Sequence, residues 1–413
     1  MLQWEPLVVN VRGNNKWGVD LRSEAVSGVL MGVVFVDQEA VGGANNGTSW
    51  ADAFVDLQDA LAAAAWSEDV NQVWVANGTY LPDRGTGDRS LSFVIPDGVA
   101  VYGGFAGGEA DLGEREAMVN RTVLCGDLRA NDAGFRNCTD NSIHVLIADG
   151  VGDQTVLDGF TITGGNADGI GVDGTTHGGG LFASEAMLSI ANCTFAGNAA
   201  SDQGGGVFLA GGSSVHVANC RFEGNRAASG GGLAQVEASS TMVGCVFAGN
   251  LAVSTSTALG GAVYARDCPL VIAANCTLVD NIAVRGGALA VENSTTTMAS
   301  SIVWGNQADA GPEVDMTASA TVIVSYCNVE GGASSVEIED GCIVQWGQGN
   351  IDADPLFVDP TKQDWHILLG SPCIDAGDPD ASMEATPYDM DGQQRIMDGR
   401  IDIGADENSA GDS

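Results

Sequence analysis

Residues 178–203 read GGGLFASEAMLSIANCTFAGNAASDQ. Four further stretches repeat them: GGGVFLAGGSSVHVANCRFEGNRAAS (204–229), GGGLAQVEASSTMVGCVFAGNLAVSTSTAL (230–259), GGAVYARDCPLVIAANCTLVDNIAVR (260–285) and GGALAVENSTTTMASSIVWGNQADA (286–310). The third position of the glycine corner falls at Gly180, Gly206, Gly232, Ala262 and Ala288, in steps of 26, 26, 30 and 26 residues. A turn asparagine falls at Asn198, Asn225, Asn250, Asn281 and Asn306, in steps of 27, 25, 31 and 25. Self-similarity of this period marks stacked units rather than one mixed core.

Inside a block there is no apolar 3.6-residue pattern. Instead β-branched residues cluster in short runs bounded by Gly, Asn and Ser. Two or three such strands with their turns consume about 25 residues, which is one coil of a parallel β-helix whose coils pair at about 4.8 Å. In Ser214-Val215-His216-Val217 the valines share a face, so His216 is expected to point outward. Gly180, Gly206 and Gly232 are expected to serve corners where φ is positive or backbones pass closely. One asparagine at the same corner of every coil can stack its amide on the next, so Asn198, Asn225, Asn250, Asn281 and Asn306 are read as a structural ladder. Cys193, Cys220, Cys245 and Cys276 also recur at one position, where parallel Cβ vectors oppose bridging and buried thiols pack as small hydrophobes. Cys125 with Cys138, and Cys327 with Cys342, are better placed for disulfides.

Blocks of the form Asn-Cys-x-Phe-x-Gly-Asn-x-Ala followed by Gly-Gly-Gly resemble the polymorphic outer-membrane-protein repeat of secreted bacterial β-helix proteins. The match is good over Asn192 to Gly206 and Asn219 to Gly232 and looser afterwards. Gly244 stands where an asparagine would precede Cys245, Leu278 replaces Phe, and Ser300-Ser301 replace Asn-Cys. The resemblance implies an all-β, single-stranded, right-handed parallel β-helix of the pectate-lyase-like kind, at a cell surface or secreted, adhesive or structural.

The ends read differently. Residues 1–32 form an N-terminal extension without the basic region and early apolar core of an export signal, and Val26 to Val36 is too short to span a membrane. Residues 33–125 hold the cap and first coils. Within them Phe54, Leu57, Leu61 and Ala65 fall at helical spacing in an alanine-rich run, which resembles the N-terminal capping helix of the pectate-lyase-like superfamily. Residues 126–350 carry the repeats. Residues 351–413, with Asp352-Ala353-Asp354-Pro355, Ser371-Pro372-Cys373-Ile374-Asp375-Ala376-Gly377 and Asp402-Ile403-Gly404-Ala405-Asp406-Glu407, resemble the choice-of-anchor Q domain and are expected to close the stack. Asp389, Asp391, Asp398, Asp402 and Asp406 crowd this end. Hard oxygen ligands at such spacing make calcium the candidate metal, against a reading as turn-forming or solvated carboxylates. No other cofactor is expected.

The 413 residues carry 16 Lys+Arg against 54 Asp+Glu, a formal charge of −38. Such a surface repels phosphate backbones and anionic headgroups, which excludes nucleic acid as a partner. A lyase needs a base near a uronate and a cation on its carboxylate. Yet both lysines, Lys16 and Lys362, lie outside the repeats, and Arg221, Arg226, Arg266 and Arg285 share no coil position. A hydrolase needs two carboxylates about 5–9.5 Å apart; Glu223 with Asp202 is one pair that adjacent coils could bring together. Asp158 precedes a glycine and reads as a turn residue, and His177 as an exposed corner histidine. No catalytic residue is assigned. The expectation is a monomeric, extracellular or cell-surface β-helix whose partners are polysaccharide or cell-surface molecules. The alternative is a polysaccharide lyase or glycoside hydrolase on the same scaffold.

Overall fold

A computed structural model describes residues 32–169, 174–254, 257–381, 386–396 and 399–408. The chain winds as a parallel β-helix whose successive coils stack on three sheets. Sheet 1 has 11 strands running from Gly32–Val36 to Ile343–Trp346. Sheet 2 has nine, from Gly78–Tyr80 to Asn328–Val329, and sheet 3 has nine, from Phe93–Val94 to Val336–Ile338. One coil runs Leu181–Ser184 in sheet 3, Met187–Ala191 in sheet 1 and Thr194–Ala196 in sheet 2. A two-residue strand, Ala199–Ala200, then leads to the glycine corner. Every rung is in register with the next: Leu181 pairs with Val207, Leu188 with Val215 and Phe195 with Phe222.

Period-two alternation sends Leu181, Ala183, Leu188, Ile190 and Phe195 into one continuous apolar core. Phe195, Phe222 and Phe247 stack there with ring centroids 5.2 and 4.3 Å apart. His216 points away from the core but is half-buried, and neither ring nitrogen has a partner, so burial pulls its pKa down. Each coil crosses from sheet 1 to sheet 2 through a left-handed residue: Asn192, Asn219 and Asn275 at φ 50, 50 and 49°, Gly244 at 64° and Ser300 at 47°. Cys193, Cys220, Cys245 and Cys276 follow it, buried and unbridged, and Cys125, Cys138, Cys327 and Cys342 are also free thiols.

The asparagine rungs lie at the end of sheet 2. Asn198, Asn225, Asn250 and Asn281 each donate from Nδ2 to Oδ1 of the next asparagine, at 3.2, 3.0, 2.9 and 2.9 Å. Each also donates to a backbone carbonyl of the coil before, as Asn225 does to Phe195 O at 2.8 Å. Asn306 has no following asparagine and donates instead to Oε2 of Glu313 at 2.7 Å. Glu313 is 1% exposed, and burial raises its pKa to about 8. At the glycine corner the residue with positive φ is the first of the triplet, Gly178, Gly204 and Gly230. Gly180, Gly206 and Gly232 serve close approach instead: a Cβ on Gly180 would sit 2.5 Å from the carbonyl of Gly206.

The one α-helix among the described residues, Leu57–Ala65, starts at Asp56, whose side chain accepts from Gln58 N. It lays Leu57, Ala60, Leu61 and Ala64 on the open first coil and so plugs that end of the core. No described helix is long and apolar enough to cross a membrane. The C-terminal stretch does not stand as a lid on the last coil. It turns back along the outer face of sheet 2, where the hairpin Phe357–Asp359 with Asp364–Ile367 and the residues after it cover Val246, Ala248, Val279 and Ile302. The expected closure of the stack by this segment is therefore replaced by a lateral brace.

Candidate functional site

Residues 126–142 leave the stack as a loop and overhang the short fourth strand of successive coils. Asp127 holds the loop by accepting from the backbone N–H groups of Asn131 and Asp132, and Asn141 donates to Asp132 at 2.7 Å. Between loop and coils lies a cleft of about 330 Å³. Its floor is Asn166, Ala199 and Arg226, register neighbours on successive coils, and its wall is Phe135 with Asn137 and Thr139. The Arg226 guanidinium lies 5.8 Å from the centroid of the Phe135 ring. Asp168 is the one carboxylate among the described lining residues, and Arg89 pairs with it at 2.6 Å. The cleft therefore offers an aromatic face, a guanidinium and side-chain amides.

The remaining catalytic candidates are not brought together. Arg221 and Glu223 pair on sheet 2, Arg266 pairs with Asp267 on sheet 3, and Arg285 with Asp315 and Glu339 beyond the corner. Asp202 lies at the corner beside His177, at 3.3 Å, on a different face from Glu223. Asp158 is buried between Arg115 Nη2 and Asn192 Nδ2, at 2.5 and 2.9 Å, as a structural ion pair. His177 is half-buried rather than exposed, with its ring 4.5 Å from that of Phe208.

The acidic candidates at the C-terminal end divide. Both oxygens of Asp389 accept backbone N–H groups, from Asp391, Gln393 and Glu407, and both of Asp402 do so from Asp375 and Asn408. These two shape turns. Asp398 lies outside the described residues. Asp391 and Asp406 converge, on His366 rather than on the other aspartates. His366 Nε2 meets Asp391 Oδ2 at 2.7 Å and Nδ1 meets Asp364 Oδ1 at 2.5 Å. The bond to Asp391 leads in raising the His366 pKa to about 10, and burial raises Asp406 to about 6.

The sequence assigned no role to His366, Arg395, Glu313 or Phe135. Asp364-Trp365-His366-Ile367 does carry a signal: Trp365 and Ile367 are buried, so Asp364 and His366 share the other face of the strand. Arg395 carries none. It is wholly buried, donates to Asn219 Oδ1 at 3.0 Å and faces Asp389, and burial lowers its pKa.

No curated protein matches the sequence. Among solved structures, the crystal structure of pectate lyase Pel9A is similar at 15% identity and a TM-score of 0.44, with 91% of this chain and 96% of that chain covered. The family model described as "Right handed beta helix region" matches residues 128–350. With that match over more than half of the sequence and coils stacked in parallel register, the chain belongs to the right-handed β-helix family.

Proposed function

We propose that this is a non-catalytic, extracellular or cell-surface β-helix protein, adhesive or structural, that binds glycans in the cleft under the 126–142 loop. The observation that carries the reading is the lining of that cleft. Phe135 offers a face for the apolar side of a sugar ring, and Arg226, Asn137 and Asn166 offer polar groups for its hydroxyls. A hydrolase would need a second carboxylate beside Asp168, and a lyase a second cationic side chain beside Arg226; the described lining supplies neither. The strongly negative surface favours neutral over acidic glycans. Export to the surface and a monomeric state are parts of the same proposal.

The test is a panel of neutral and acidic polysaccharides, scored for binding and for products. The expected result is saturable binding to a neutral glycan, weakened about 10-fold or more by Phe135→Ala and by Arg226→Ala, as for an interface anchor. New reducing ends, or absorbance from unsaturated uronates, would replace this reading with the enzyme one.

A further inference from the structure

We propose that His366, Asp391 and Asp406 form a binding site for one divalent first-row transition ion of the Zn²⁺ class, which fastens the C-terminal brace together. One donor atom from each residue lies within 4.8 Å of the other two. Ligands of such an ion bind at about 2.0–2.2 Å, so small side-chain rotations close the set. The three come from separate stretches: His366 from the strand Asp364–Ile367, Asp391 from the turn after Asp389, and Asp406 from the stretch after Gly404.

Two observations beyond the cluster itself point to an ion. Asp406 is 7% exposed, and its Oδ1, shielded from solvent, has no hydrogen-bond partner, while Oδ2 accepts from Ile367 N at 3.3 Å. An unpartnered buried carboxylate oxygen costs free energy that a coordinated cation would recover. Beside it lies a cavity of about 10 Å³ lined by His366, Asp406, Trp365, Met390 and Arg221. That is room for one water-sized particle. Arg221 brings positive charge to the same cavity, but its Nε is already engaged by Glu223 at 2.5 Å.

The donor set chooses the class of ion. Calcium takes six to eight oxygens, whereas one imidazole with two carboxylates suits a borderline cation. In the bound state the ion takes the place of the proton shared by His366 Nε2 and Asp391. Asp364, on Nδ1, fixes the ring and the tautomer that leaves Nε2 free, so it is a positioning residue.

The experiment uses the full chain stripped with EDTA and titrated calorimetrically with Zn²⁺ and, separately, with Ca²⁺, with metal content per chain measured in parallel. The expected result is one Zn²⁺ per chain, with Ca²⁺ at about 1 mM failing to compete. His366→Ala and Asp406→Asn should each weaken binding by about 100-fold or more, and Asp364→Asn by about 10- to 100-fold. Asp391→Asn, at a partly exposed position, guards against misfolding: it should keep the far-ultraviolet spectrum and lose the Zn²⁺-dependent rise in Tm. Two outcomes would overturn the site. One is no Zn²⁺ uptake, which leaves His366 as an imidazolium between Asp364 and Asp391. The other is uptake unchanged in His366→Ala and Asp391→Asn, which moves the ion to the partly exposed thiols of Cys125, Cys138 or Cys342.

Discussion

Glu313→Gln isolates the group that ends the asparagine ladder. Glu313 accepts from Asn306 Nδ2 at 2.7 Å and is 1% exposed, and burial moves its pKa from an ordinary 4.5 to about 8. In the folded chain the acid stays protonated up to about pH 8, while in the unfolded chain it ionises above 4.5. The unfolded state therefore holds fewer protons across that window, and folding stability falls as pH rises through it. At about 1.4 kcal/mol per pH unit, the loss between about pH 5 and pH 8.5 amounts to about 4 kcal/mol. Glutamine keeps the acceptor oxygen and cannot ionise. The assay is urea unfolding of both proteins at the two pH values, taken as the difference between proteins and then between pH values. Other titrating groups cancel in that comparison. The variant should gain about 4 kcal/mol on wild type between pH 5 and pH 8.5. An equal difference at both values would refute the buried, protonated acid.

Two other substitutions test the stack and its brace. Asn225→Leu takes the acceptor from the Asn198 backbone N–H and from one Asn198 Nδ2 hydrogen, and the side-chain donor from the Phe195 carbonyl, while Asn250 Oδ1 keeps the backbone N–H of residue 225; at about 1–3 kcal/mol for each buried orphan the loss is several kcal/mol, read by chemical denaturation. Gly244→Asn restores the residue its neighbours carry and tolerates φ near 64°, but its Cβ would fall on Nη2 of Arg395. Displacing that buried cation should loosen the brace by about 3 kcal/mol or more, seen as faster proteolysis after residue 351 and as dye binding to uncovered sheet 2. Unchanged proteolysis would show that Arg395 is not the pin.

The coil stack was legible because one corner chemistry recurs, and a recurring corner leaves few folds open. The brace was not read from the sequence, although its traces lie where the repeat departs from its own pattern. Outward positions of sheet 2 run Thr194, Arg221, Val246, Thr277, Ile302, and Ala196, Glu223, Ala248, Val279, Trp304, turning apolar where the C-terminal stretch packs. Gly244 makes room for Arg395, and Ser300 takes Asp378 N on its hydroxyl and Gly404 N on its carbonyl. Each departs from the repeat because it meets the C-terminal stretch as well as the neighbouring coils. The metal-type cluster was hidden for another reason. Asp389, Asp391 and Asp402 look alike in sequence, and only the fold decides that Asp389 and Asp402 serve backbone N–H groups while Asp391 reaches a histidine 25 residues earlier.

Because the brace touches Asn219 through Arg395, Thr277 through Ala405, Ser300 through Gly404 and Asn328 through Ala353, it works as a ruler laid along the solenoid. A coil inserted or deleted between Asn219 and Asn328 would put every later tooth out of step with its notch. The same change between Gly164 and Cys193 would shift the whole ruler with its coils and leave the fit intact. The brace thus fixes the number of coils between Asn219 and Asn328 and sets no such limit between Gly164 and Cys193.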